Sequence, residues 1–96
     1  MSRKHDAAVV AAHTGILMGR FDDYHKYVED LMGRPVWTHE IPALAHELKE
    51  RSLDDWMELQ GRLTEEEKEI IDRWAFRQED RDGFVAMAHR WMQEGT

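Results

Sequence analysis

Gly33-Arg34-Pro35 is the feature that most constrains how this chain can fold. It follows a stretch with helical spacing, Phe21 to Met32, and precedes Val36-Trp37-Thr38-His39-Glu40. Glycine reaches the left-handed backbone that closes a helix, while proline lacks an amide and holds the residue before it extended. The chain must therefore turn a corner here between two helices. Asp22 or Asp23 can cap the upstream helix, with Phe21 placed to staple onto the following turn. Phe21, Tyr24, Val28 and Leu31 share one face of it. Val36-Trp37 reads as a short extended connector that plugs the core, and Thr38 is placed to cap the next helix.

The rest of the sequence keeps the helical period. A first helix is expected over Lys4 to Met18, with Asp6 in its first turn and Val9, Ala12, His13, Ile16 and Leu17 as its core stripe. Gly15 inside it costs about 1 kcal/mol relative to alanine and implies close approach of another backbone; Gly19 is the expected terminator. The third helix starts near Thr38–Ile41, takes Pro42 in its first turn, buries Ile41, Leu44, Ala45 and Leu48, and kinks at Ser52 before ending at Gly61. Thr64-Glu-Glu-Glu67 matches a capping box, opening a fourth helix to about Gln78 over Ile70, Ile71 and Trp74. Asp82 is placed to cap a fifth, with Phe84, Met87, Ala88 and Trp91 inside. There is no alternating strand pattern, heptad run or internal repeat. The expected architecture is all-α, a compact bundle of four to five short helices in one domain over residues 1–96, with 63–96 forming a C-terminal helical hairpin.

Charge narrows the function classes. Thirteen basic residues against 20 acidic ones give a net charge of −7, which repels a phosphate backbone and argues against direct nucleic-acid binding. No apolar run approaches the ~18 residues of a membrane span. The segment Ala7–Ala12 is too short and alanine-rich for a signal-peptide core, so a cytoplasmic location is expected. The absence of cysteine excludes disulfides and thiolate metal sites.

Two groups of residues carry candidate chemistry. His25 and Glu29 lie four apart on one helix face, and His39-Glu40 and His46-Glu47 repeat a His-Glu pair seven residues apart. With the two helices as neighbours, His25, Glu29, His39 and Glu40 can converge to bind Zn²⁺ or Mn²⁺, or to supply a general base with an orienting carboxylate. The same pairs also fit ordinary surface ion pairs, or hydrogen bonds that lock the Gly-Arg-Pro turn, and they do not make an HExxH site. No glycine-rich phosphate loop, GxSxG turn or Ser/Lys arrangement is present, which favours a binding protein without a cofactor over an enzyme. Trp37, Trp56, Trp74 and Trp91 are first read as core. Phe76, Val85 and Met92 fall off the core stripes and are the candidate contacts for a homodimer or a partner.

At AAVVAAHTGILMGRFDDYHKYVEDLMGRPVWTHE the sequence resembles a small family of uncharacterised proteins found mainly in bacteriophages and prophage regions. The matching marks are Thr14-Gly15, Phe21, His25 and Glu29 at helical spacing, Gly33 to Val36, and Thr38 to Glu40, within a family-like part over about 1–60. His13 stands where the family pattern has an aromatic, and Ile41-Pro42 replaces a more ordinary helix start. The resemblance implies a phage setting. There, small acidic helical proteins commonly act by binding a host or phage protein, including inhibition of host defence of the anti-CRISPR or anti-restriction type. The implied location is then the host cytoplasm.

Overall fold

The computed structural model describes residues 3–93. Among these are six α-helices, one 3-10 helix and no strand. They are α1 (Lys4–Thr14), α2 (Phe21–Met32), the 3-10 helix (Thr38–Leu44), α3 (Ala45–Arg51), α4 (Leu53–Gln60), α5 (Glu65–Ala75) and α6 (Arg81–Gln93). The all-α expectation stands, but with six helices rather than four to five. The third expected helix divides at Ser52, and its start winds as a 3-10 helix. There Pro42 has no amide to donate, and Glu40 bonds back three residues to the Trp37 carbonyl at 3.0 Å.

α1 is the hub. Asp6 through Ala12 are all buried, so the helix has no single core stripe. Its alanines leave room for neighbours on every side, and α2, α3, α4 and α6 all pack on it. It stops at Thr14, earlier than expected, because Gly15 takes φ +79° and returns its amide to the Ala11 carbonyl at 2.9 Å. Nothing lies within 4 Å of where a Gly15 side chain would start, so this glycine serves backbone conformation and not close packing. With the helix ended, Leu17 leaves the core and is 50% exposed.

α2 begins at Phe21, with Arg20 as its extended N-cap and no side-chain cap bond from either aspartate. Thr64 caps α5 as expected: its hydroxyl accepts from the Glu67 amide at 3.1 Å and the Glu67 carboxylate accepts from the Thr64 amide at 3.0 Å. That helix ends at Ala75, short of Gln78, because Gln78 and Asp80 both turn to positive φ. Asp80, two residues before the expected Asp82, accepts from the Gly83 amide at 3.3 Å at the start of α6.

The main core joins α1 to Leu59, Leu63, Ile70, Ile71, Phe84, Met87 and Trp91. A smaller core of Val28, Val36 and Leu48 lies under the Gly-Arg-Pro corner. A polar clamp closes the main core at the start of α1. Arg3 donates to Glu67 at 2.9 Å and lies 3.9 Å over the Trp91 ring, whose indole N–H donates to the same carboxylate oxygen at 3.0 Å. Burial acts to raise the Glu67 pKa, but the Thr64 amide, Trp91 and Arg3 together hold it below its ordinary value. Beside the clamp, Asp6 is buried and paired with Arg3 and Arg62, a fuller role than the expected helix-dipole partner.

Candidate functional site

The corner after α2 is where chemistry-bearing residues gather. Gly33 takes φ +72° and donates to the Glu29 carbonyl at 2.9 Å, which ends α2 and aims the chain back along it. Val36 then returns beside the last turns of α2. Its amide donates to the Glu29 carboxylate at 2.8 Å, and its carbonyl accepts from His25 Nε2 at 2.6 Å. Both polar groups of one loop residue are thus held by side chains one helical turn apart, which lie 3.8 Å from each other. The Val36 side chain enters the smaller core, 3% exposed.

Trp37 points the other way. Successive residues of extended backbone project to opposite sides, so burying Val36 turns Trp37 outward, and it is 72% exposed. The next residues fix it in place. The Trp37 amide donates to Glu40 Oε1 at 3.1 Å, while Arg34 reaches the other oxygen of that carboxylate at 3.1 Å. The Trp37 amide, followed by Arg34, lowers the Glu40 pKa. His39 stacks on the Trp37 ring at 6.3 Å, and Phe21 stacks on His25 at 5.9 Å while remaining 41% exposed. Beside His25 and Trp37 lies a shallow cleft of about 270 Å³, lined also by Glu29, Pro35 and Val36.

The four residues expected to converge on a metal are arranged differently. His25 and Glu29 meet at the Val36 backbone. Glu40 faces Trp37 and Arg34, and His39 lies against the indole. Opposite a carbonyl, His25 Nε2 carries the proton and so offers no lone pair to a cation. Among the described residues, no group of three or more His, Asp or Glu is placed to hold a metal ion. The second pair forms surface contacts on α3: His46 with Glu50 and Glu47 with Arg51, each at 3.0 Å.

The three expected contact residues do not line one groove. Val85 and Met92 line a groove between the α1–α2 connection and α6. Val85 is exposed, whereas Met92 is partly buried against the main core. Phe76, 55% exposed, borders a different groove, with Tyr24, Ile41 and Pro42. The sequence reading placed Trp37 in the core and so missed the most exposed of these large apolar groups. The signal available was the alternation of Val36 and Trp37 after Pro35.

A second pairing was also missed. His13 Nδ1 lies 3.2 Å from the Ser52 hydroxyl, and its ring stacks on Trp56 at 4.5 Å and 12°. Burial, then the nearby Lys49 ammonium, lower the His13 pKa, against the opposing pull of a hydrogen bond to the Lys49 backbone. Ser52 is fully buried at the α3–α4 break and also bonds the Lys49 carbonyl at 3.3 Å. Closed off from solvent, its hydroxyl is a packing group and not a nucleophile.

The model of a family described as a domain of unknown function, DUF7736, matches residues 4–62. The chain belongs to that family. The match takes in α1 to α4, and with them the corner and Trp37, and ends just before the Thr64 cap that starts α5. No curated protein and no solved structure matches the chain.

Proposed function

We propose that this protein acts by stoichiometric protein–protein contact through the exposed edge of the corner at Trp37. In this reading it is an accessory protein of the phage or prophage type, and its target class is a component of host defence. The observation that carries the contact reading is Trp37, 72% exposed on a corner that His25, Glu29 and Glu40 hold by hydrogen bonds. A large aromatic with few rotatable bonds on a held backbone loses little conformational freedom on binding, and tryptophan is among the residues enriched at the positions that dominate interfaces. The phage setting and the defence target come from the sequence resemblance, and the net charge of −7 favours a basic protein surface over nucleic acid.

Native mass spectrometry of the tagged protein purified from bacterial hosts tests the reading. A complex of fixed stoichiometry with an identified protein is expected, and Trp37→Ala should weaken it by about 2 kcal/mol or more while leaving the melting temperature unchanged. A partnerless monomer across several hosts, or a complex indifferent to Trp37→Ala, contradicts it. A homodimer built on the same edge would appear as a doubled mass that the variant abolishes.

A further inference from the structure

We propose that the groove between the α1–α2 connection and α6 binds a small organic anion with an apolar body and a carboxylate or phosphate head. The groove encloses about 520 Å³, within the roughly 300–1,000 Å³ typical of small-molecule sites. Its apolar lining includes Ile16, Trp74, Phe84 and Met92, and Leu17 and Val85 add exposed apolar surface. Such a floor selects a hydrocarbon chain or ring.

The head group follows from charge. Among the described residues, Arg20, Arg81 and His89 are the ionisable ones lining the groove and no aspartate or glutamate joins them, in a chain that carries 20 acids. Elsewhere six of the seven arginines, Arg3, Arg34, Arg51, Arg62, Arg73 and Arg77, each pair with a carboxylate, and Arg90 is the exception. Among the described residues, Arg20 and Arg81 have no side-chain hydrogen bond or ion pair. Two guanidinium groups without a protein acid, beside an apolar floor, are complementary to an amphiphilic anion, because arginine's fork matches carboxylate and phosphate oxygens alike. The groove shares no lining residue with the cleft at Trp37, so this site is independent of the proposed partner edge.

Isothermal titration calorimetry of the full chain with decanoate, decyl phosphate and decanol tests the proposal. At least one of the two anions should bind saturably at one equivalent, about tenfold or more tighter than decanol, and the tighter anion identifies the head group. The double variant Arg20→Gln/Arg81→Gln should lose that advantage while binding decanol as before. Val85→Glu, which adds a carboxylate at an exposed position of the groove, should weaken the anions similarly, and Trp37→Ala should leave them unchanged. The proposal is overturned by anion binding no tighter than decanol, by non-saturating uptake, or by arginine variants that bind as the wild type does. Binding of an acidic apolar peptide where neither free anion binds would also overturn it.

Discussion

At Val36 two side chains of one helix satisfy both polar groups of a loop residue. The spacing of His25 and Glu29 made their pairing legible in the sequence, because four residues is one helical turn. Hydrogen bonding to the Gly-Arg-Pro turn was one of the readings open to them, and His25 and Glu29 make such bonds while His39 does not. That both fall on Val36 was not legible, because only the path of the chain after Gly33 decides what lies opposite them. The same holds for His13. Its place on α1 was readable, but its neighbours Ser52 and Trp56 come from the far side of the α3–α4 break. The lowered His13 pKa means that between its folded value and the ordinary histidine value of 6.5 the unfolded chain binds more protons. This contribution to stability is therefore complete above about pH 6.5 and is lost as pH falls through the folded value. Urea midpoints measured from pH 7.5 downward should fall more steeply for the wild type than for His13→Phe, which keeps the stack on Trp56 without the titration.

Among the elements, α1 shows how composition can override an expected stripe. The alanine run predicted a helix, but a one-sided pattern was read into it from Val9, Ile16 and Leu17. Gly15 removes Ile16 and Leu17 from the helix, and what remains is small enough to be covered on all sides. Ala11 is 2% exposed, so Ala11→Leu has no space to enter and should destabilise the protein by about 1–3 kcal/mol, read as a shift in urea midpoint. A change within about 0.5 kcal/mol would show that α1 has a free face. The caps whose partners lie three residues away, such as Thr64 with Glu67, were readable because both halves are local. The end of α5 was not, since Gln78 and Asp80 adopt positive φ without a glycine to announce it.

Across the whole molecule, the family-matched residues 4–62 and the α5–α6 pair share one core, and the Arg3–Glu67–Trp91 clamp ties the residue just before the match to α5 and α6. Glu67 was legible as a capping residue, but its bonds to Arg3 and Trp91 span 64 and 24 residues and leave no mark in local sequence. Glu67→Gln weakens both charge-assisted bonds and should cost about 1–3 kcal/mol, more than Glu66→Gln in the same helical turn. Calorimetric melting of the two variants distinguishes them, and equal losses would show that the clamp adds nothing beyond the charge of a first-turn carboxylate. The matched part also carries the corner on which the proposed contact depends: Trp37 is presented because Val36 is gripped. Amide hydrogen exchange at Val36 measures that grip most directly. Val36 should be protected in the wild type and should exchange about tenfold faster or more in Glu29→Ala, with α2 otherwise intact. A Val36 amide that exchanges freely in the wild type, or is indifferent to the loss of Glu29, would contradict the corner as described.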